Sequence, residues 1–360
     1  MLQASRLMKG AAVADRITLC GVPCIILSKE PVPELATALQ HPMARRRASQ
    51  LSQLSTIGET EIHESEDETT FGRTNFIGRC GEYRQRDVIL HLTGGGFFAH
   101  TIASDLPFLM EWSARTDSVV ICPEYALLPE HKFPTALNQV IDIYTALSRG
   151  DTATRLGFEV NRICVTGESV GGNLAAALCV HLAKEQQEEE LLSLQPAFPS
   201  SSSSSESTPP PPQPSVRMPD GIMLSCAALN LTKELSLSRF LGTEDPVLPN
   251  ALISAISENY LPSSDEDAAK NPLASPFFAP DCALAKFPPT LLFASSNDPL
   301  LDDSVVFNER LCSLQVKSEL IAAHNVPHAY LGLGTAGFPE AVQVQNYAME
   351  WLKDILHSTE

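Results

Sequence analysis

Basic residues are scarce in this 360-residue chain: 25 lysines and arginines stand against 43 aspartates and glutamates, which leaves a net charge of -18. A protein that binds nucleic acid needs a basic surface to neutralise phosphates, so the composition argues against a nucleic-acid partner. The same charge disfavours binding to anionic lipid. Any contact with a lipid surface therefore has to be hydrophobic.

Long hydrophobic runs are missing as well. No run approaches the roughly 20 apolar residues of a transmembrane helix, and the N-terminus lacks the compact apolar block of a signal peptide. The nine cysteines are an odd number, and several lie inside apolar strand or helix patterns, which is typical of reduced, buried thiols. We therefore expect a cytoplasmic protein.

The first 75 residues have a mixed composition and predict an N-terminal cap or regulatory segment, partly disordered. Residues 1–19 carry an amphipathic pattern, which predicts a helix that covers the upper surface of the protein. A transit peptide or a peripheral anchor on a lipid droplet or membrane is the alternative. Ser49 follows an arginine cluster that basophilic kinases recognise, although an unmodified basic loop explains the pattern equally well.

From residue 76 to residue 360, short apolar segments alternate with helical patterns, as in a catalytic α/β domain. Strands are predicted at residues 88–90, 118–122, 163–165, 221–229, 290–294 and 317–322. Continuous apolar strands that alternate with helices imply a mostly parallel sheet with helices on both faces. The Glu-, Ser- and Pro-rich residues 185–215 interrupt this order and predict a disordered, low-complexity surface insertion.

The pentapeptide GESVG at residues 167–171 lies between a predicted strand and a predicted helix. In that context G-x-S-x-G is typical of a nucleophile elbow, a sharp turn that holds the hydroxyl of Ser169 above the edge of the sheet. The helix that follows directs free N–H groups and a positive dipole end towards any oxyanion that forms there. Ser169 is therefore the candidate nucleophile.

A nucleophilic serine needs a histidine as base and a carboxylate that orients the histidine, and in this type of enzyme they follow the serine in the order acid, then histidine. Asp298 follows a predicted strand and is the preferred acid, because Asp302 and Asp303 fit the first turn of the next helix. His328 lies in the loop after the last strand. It is the preferred base, and His324 fits an ordinary loop residue.

Three consecutive glycines follow the strand at residues 88–90. The N–H groups of Gly95 and Gly96, together with that of Val170 after the nucleophile, are expected to form the oxyanion hole. A glycine triplet is by itself also typical of a flexible turn. Three phenylalanines are candidates for the substrate pocket, although core packing explains them at least as well: Phe97, Phe98 and Phe278.

Seven stretches of the chain resemble, in one common order, the hormone-sensitive lipase family of α/β-hydrolases. They are HLTGGGFF at 91–98, YALLPEHKFP at 125–134, GESVGGN at 167–173, MPDGIM at 218–223, KNPLASPFFAP at 270–280, and residues 288–303 and 326–328. The resemblance implies an α/β-hydrolase fold with an eight-stranded sheet and a helical cap. It also implies hydrolysis of a hydrophobic carboxylic ester, an acylglycerol or related lipid ester, without a metal or other cofactor.

The chain departs from the family at Thr93, which stands where the family has the histidine of its HGGG motif and where that imidazole helps to fix the oxyanion loop. We expect either reduced activity or a loop that is braced by His91 instead. Two other functions stay open. One is a xenobiotic carboxylesterase similar to arylacetamide deacetylase. The other is a non-catalytic ligand-binding receptor, which retention of all three candidate triad residues disfavours.

Overall fold

The computed structural model describes residues 13–29, 83–193, 216–242, 245–262 and 266–358. Ser49 lies outside the described residues, as do residues 1–12 of the N-terminal segment 1–19, for which a lipid contact was the alternative. Most of the predicted low-complexity insertion, residues 194–215, also lies outside them.

The centre of the molecule is one eight-stranded sheet. Its strands are β1 (Val13–Leu19), β2 (Val22–Ser28), β3 (Gln85–Leu92), β4 (Val119–Pro123), β5 (Glu159–Glu168), β6 (Gly221–Ser225), β7 (Thr290–Ser295) and β8 (Ser318–Ala323). Their order is β1-β2-β4-β3-β5-β6-β7-β8. β2 runs antiparallel to β1 and to β4, and the six strands from β4 to β8 are parallel to one another.

Helices cover both faces of this sheet. They are α1 (Ile102–Thr116), α2 (Thr135–Ser148), α3 (Ala153–Leu156), α4 (Val170–Ser193), α5 (Leu237–Leu241), α6 (Asn250–Tyr260), α7 (Glu266–Ala269), α8 (Asp281–Leu284), α9 (Leu301–Ser313) and α10 (Pro339–His357). Short 3-10 helices span Pro276–Phe278 and Tyr330–Ala336. The predicted fold class, a mostly parallel sheet between two layers of helices, is confirmed.

The apolar strands explain this architecture because successive side chains of a strand point to opposite faces. Leu90 of β3 belongs to an apolar cluster with residues of α2, α4 and α9, whereas its neighbour Ile89 belongs to a second cluster with residues of α1 and α10. All residues of β4, β6 and β7 are buried. Such strands need helices on both faces of the sheet. Because the strands are parallel, their carboxyl ends lie along one edge.

The helix predicted over residues 1–19 is wrong for residues 13–19, which form the edge strand β1. Asp15, Ile17 and Leu19 are more buried than Arg16 and Thr18 between them, so the segment has the period of two of a strand. β1 and β2 join the main sheet. The catalytic fold therefore includes residues ahead of residue 76, the predicted boundary.

The prediction of a disordered insertion is wrong for residues 185–193, because α4 continues to Ser193. Glutamate, glutamine and leucine favour helix even where nothing covers them. Two ion pairs at i,i+4 spacing link Lys184 to Glu188 and His181 to Glu185 along the helix surface. None of the helices in the described ranges is long and apolar enough to cross a membrane.

Candidate active site

Ser169 occupies the turn between β5 and α4, and its φ of 55° lies in the left-handed region, which is strained for a residue with a side chain. Backbone packing forces glycine on either side of it. A Cβ on Gly167 would overlap the backbone of Gly171, and a Cβ on Gly171 would overlap the carbonyl oxygen of Leu92. The predicted sharp turn is present, and it directs Ser169 to the carboxyl edge of the sheet.

The structure brings together the three residues that the sequence predicted as nucleophile, base and acid. Nε2 of His328 lies 2.9 Å from Oγ of Ser169, and Nδ1 of His328 lies 2.8 Å from Oδ2 of Asp298. All three side chains are buried, with 7% of Ser169, 3% of His328 and 1% of Asp298 exposed. The structure places the three side chains in one hydrogen-bonded row, while their chemical roles remain predictions.

The local structure fixes the Asp298 carboxylate. Oδ1 of Asp298 accepts a hydrogen bond from the backbone N–H of Leu300 at 2.8 Å, in the turn that leads from β7 into α9. The carbonyl of Asp298 accepts another from Leu301 at 3.1 Å. Oδ2 is thereby directed at the ring of His328. Asp302 instead accepts from the backbone N–H of Ser238 at 2.8 Å.

The backbone of His328 is held by a third carboxylate, which the sequence analysis missed. Asp245 accepts from the N–H of His328 at 2.8 Å through Oδ2, and from the N–H groups of Val247 and Leu248 at 2.8 Å through Oδ1. It lies 83 residues before His328 and belongs to no motif. Only the folded chain identifies Asp245 as a positioning residue for the imidazole.

Opposing effects act on the pKa of His328. Burial opposes the charge on the ring, but the negative charge of Asp298 and the hydrogen bond to it outweigh burial, so the pKa of His328 is raised above its usual value. Glu168, the middle residue of the elbow motif, is fully buried beside it. Burial and the negative charge of Asp105 raise the pKa of Glu168 to about 8, so its carboxyl group is mostly protonated at neutral pH.

We expect kcat/KM to fall as the pH is lowered through the pKa of His328, because only the neutral imidazole accepts the proton of Ser169. Since the pKa of His328 is raised, the midpoint of this acid limb lies above the ordinary histidine value of about 6.5. Asp298→Asn removes the main cause of the raised pKa and shifts the limb to lower pH. A wild-type midpoint below the ordinary value would contradict this electrostatic account.

The glycine loop lies directly against the elbow, since a Cβ added to Gly94 would be 3.4 Å from Cβ of Ser169. Gly95 and Gly96 have φ values of 112° and 64°, which favour glycine. Within the described part of the chain, no acceptor takes the N–H of Gly95, of Gly96 or of Val170. These three donors are free for a ligand, as the predicted oxyanion hole requires.

Gly95→Ala is expected to lower kcat by about 100-fold or more, because a Cβ there overlaps the carbonyl oxygen of Ala99 and forces the loop to move. Gly150→Ala is the matched control. Gly150 also has a positive φ, 77°, but open space surrounds its Cβ position. The control should lose roughly 1–2 kcal/mol of stability and keep its kcat. Equal kcat in both variants would contradict the placement of the oxyanion loop.

A small cavity opens beside Ser169, and most of its lining is apolar. Its other lining residues are Val170, Ala228, Asn230, Leu231, Leu248, Ile253, Ile256 and Leu300. The three predicted pocket phenylalanines are not among them. Phe97 is buried and stacks on Tyr260 with ring centroids 3.6 Å apart, Phe98 is 40% exposed, and Phe278 packs edge-on against Phe277. None of them lines this particular cavity, and their assignment to the substrate pocket stays a prediction.

Cys226, Asp298 and His328 are the residues of the described ranges whose potential metal-binding atoms cluster, all within 4.8 Å of one another. Asp298 and His328 are already hydrogen-bonded to each other, and His328 also to Ser169. Burial raises the pKa of the Cys226 thiol well above its usual range, which disfavours the thiolate that a metal would need. The cluster therefore fits a proton-transfer site better than a metal site.

A sequence model of the alpha/beta hydrolase fold family matches residues 89–332, more than half of the chain. The chain belongs to this family. Within it, the chain is similar to human hormone-sensitive lipase, at 31% identity over 184 residues that cover 51% of this chain and 14% of the lipase. The resemblance to hormone-sensitive lipases that the motifs predicted is thereby confirmed.

Microbial esterases match a larger part of the chain. An esterase of Gibberella moniliformis is 29% identical over 245 residues, 68% of this chain and 66% of that protein. An esterase of Acinetobacter venetianus is 29% identical over 256 residues, 71% of each protein. Among solved structures, carboxyl esterase 2 of Tuber melanosporum has a TM-score of 0.68 at 17% identity, covering 98% of this chain and 90% of the esterase. At that identity the structural match shows a common fold.

Proposed function

We propose that the protein is a serine hydrolase of carboxylic esters. The observation that carries this proposal is the hydrogen-bonded row from Ser169 through His328 to Asp298, at a strained elbow and beside free amide donors. A hydroxyl, an imidazole and a buried carboxylate in this order are the groups that acyl transfer through serine requires. The esterase names of the similar proteins agree with this proposal.

In the proposed reaction, Oγ of Ser169 attacks the ester carbonyl while Nε2 of His328 takes its proton. Asp298 accepts from Nδ1–H, which holds the ring in the right tautomer and stabilises the imidazolium that forms. The N–H groups of Gly95, Gly96 and Val170 stabilise the oxyanion. His328 then protonates the leaving alcohol, and a water molecule activated by the same ring releases the acyl group from Ser169.

The proposed substrate is a hydrophobic ester, an acylglycerol or a related lipid ester. Its support is the similarity to hormone-sensitive lipase together with the apolar wall beside Ser169, which Leu231, Leu248, Ile253 and Ile256 form. The cavity there has a volume of about 10 Å³, so these side chains have to move apart to admit an acyl chain. Apolar walls favour an apolar chain because burying each CH₂ group contributes about 0.8 kcal/mol. The same cavity offers Asn230 as its one polar amide side chain.

The substrate class is tested by comparing kcat/KM for p-nitrophenyl esters of increasing chain length, for mono-, di- and triacylglycerols, and for arylacetamides. We expect Ile253→Ser to lower the rate on long-chain esters more than on acetate esters, because Ile253 lines the cavity. Leu252→Ser is the matched control, since Leu252 is 38% exposed and does not line it. Faster turnover of arylacetamides than of acyl esters would favour the xenobiotic alternative, and absence of all hydrolysis would favour a receptor.

A further inference from the structure

Thr93 leaves the glycine loop without the histidine expected in its motif, yet the side chain of Thr93 contacts another imidazole. It belongs to His100, seven residues further on. Nδ1 of His100 lies 3.1 Å from Oγ1 of Thr93, and Nε2 lies 3.0 Å from the backbone carbonyl oxygen of Tyr125. One ring therefore bridges the start of the glycine loop and the loop that follows β4.

The partners determine which nitrogen carries the proton. A carbonyl oxygen only accepts, so Nε2 of His100 is the N–H donor to Tyr125. In the neutral ring Nδ1 is then an acceptor, and the hydroxyl of Thr93 donates to it. Partial burial of the ring lowers the pKa of His100, which favours this neutral form at pH 7. The ring also packs edge-on against Tyr125, with centroids 4.7 Å apart.

Further hydrogen bonds join the same two loops. The hydroxyl of Tyr125 donates to the carbonyl of Thr93 at 2.7 Å, and the N–H of Leu128 donates to the carbonyl of Phe97 at 2.8 Å. Within the glycine loop, Ala99 donates its N–H to the carbonyl of Gly95 at 3.1 Å. The free N–H groups of the loop are thus held by a frame to which the ring of His100 contributes two hydrogen bonds.

His91, the brace expected from the sequence, makes its contacts elsewhere. Its Nδ1 is 2.8 Å from Oγ1 of Thr166 on β5, and its Nε2 is 3.4 Å from Oδ2 of Asp105 on α1. It reaches the glycine loop only indirectly, because Asp105 accepts from Thr101, whose Oγ1 accepts from the N–H of Gly94. The direct brace is His100, and the expectation for His91 is corrected.

We propose that His100, paired with the hydroxyl of Thr93, is the positioning residue that orients the oxyanion loop in this chain. The pair links the start of the glycine loop to the loop after β4 through Oγ1 of Thr93 and the two ring nitrogens of His100. This inference rests on the proposed function, because orientation matters only if Gly95 and Gly96 donate to a reacting oxygen. His100 contacts no reacting atom and acts through the loop.

The test compares two substitutions of His100 that separate the aromatic packing of the ring from its hydrogen bonds. His100→Phe keeps an aromatic ring against Tyr125 but loses both polar atoms, whereas His100→Gln keeps one donor and one acceptor and loses the ring. We expect His100→Phe to lower kcat by roughly 10- to 100-fold with little change in KM, since misplacing groups by about 1 Å can cost this much. His100→Gln should recover most of this loss. His131→Phe, at an exposed histidine in the neighbouring loop, is the control.

A double-mutant cycle tests the pairing itself. Thr93→Val removes the hydroxyl and should also lower kcat, but in the His100→Phe background it should cause almost no further loss, because the bridge is already broken. Losses that multiply independently would overturn the pairing. A phenylalanine variant as active as the wild type, or a glutamine variant as impaired as phenylalanine, would overturn the positioning role of the polar atoms.

Hydrogen exchange separates failure of this inference from failure of the proposed function. If the wild type hydrolyses esters and Ser169→Ala does not, the proposed function stands and the His100 variants test the inference alone. If the wild type is inactive, exchange of the backbone amides in residues 93–101 still reports the bridge. It should be faster in His100→Phe than in His100→Gln or His131→Phe. Equal exchange in all of them would overturn the inference.

Discussion

Ser169→Ala is expected to lower kcat for ester hydrolysis by roughly a millionfold, the size of effect known when the nucleophile of a hydrogen-bonded triad is removed. The reason is that no other hydroxyl of the described chain is hydrogen-bonded to the ring of His328. The loss is measured as the rate of p-nitrophenyl ester hydrolysis by the purified 360-residue protein. Ser296→Ala, at the residue that directly follows β7, is the control and should retain full activity.

The same variant should fold normally. Ser169 has a φ of 55°, and alanine at that position carries the same backbone strain as serine. Its amide still donates to the carbonyl of Ser225 at 2.8 Å. We therefore expect circular dichroism spectra and a thermal midpoint close to those of the wild type. A folded Ser169→Ala protein with more than about a hundredth of the wild-type kcat would contradict the assigned nucleophile.

His328→Ala is the second variant with a very large expected effect. Without the ring, the hydroxyl of Ser169 has no acceptor for its proton, so kcat should fall by a similar factor of about a million. His324→Ala is a close control, because His324 lies in the same loop but is exposed. Steady-state kinetics of both variants, with thermal melts as a check on folding, distinguish a general base from a loop histidine.

The double variant tests whether Ser169 and His328 act as one unit. Ser169→Ala/His328→Ala should be about as slow as either single variant, because residues that act as one unit lose their effect together. Losses that multiply would show that the two residues contribute separately and would contradict proton transfer between them. Equal activity of His324→Ala and His328→Ala would contradict the assignment of the base.

The parallel centre of the fold was predictable because its strands are continuous apolar runs, and such runs are buried on both faces wherever they occur. The edge was not. In β1, two apolar residues are followed by two polar ones, and polar and apolar residues alternate only over residues 16–19, too short a stretch to distinguish a strand from an amphipathic helix. The prediction for the acidic end of α4 failed for a related reason, because a solvent-exposed helix and a disordered polar segment have similar compositions.

The same distinction applies to the site. Ser169, Asp298 and His328 were predictable because each follows a strand of a parallel sheet, and the carboxyl ends of such strands meet at one edge. Asp245 and His100 carry no comparable signal. Each acts through hydrogen bonds to segments that only tertiary folding brings near, and for Asp245 the partner is 83 residues away. Thr93 was the one local sign that the glycine loop either uses a different brace or has a lower activity.

The central claim is that Ser169 is a nucleophile activated by its neighbours, and a fluorophosphonate probe measures this most directly. Peptide mass spectrometry of the treated protein should locate one phosphonyl adduct per chain, on Ser169. Ser169→Ala should carry none, and labelling of His328→Ala should be slower by orders of magnitude. An adduct on a different residue, or equal labelling of the wild type and Ser169→Ala, would contradict the account.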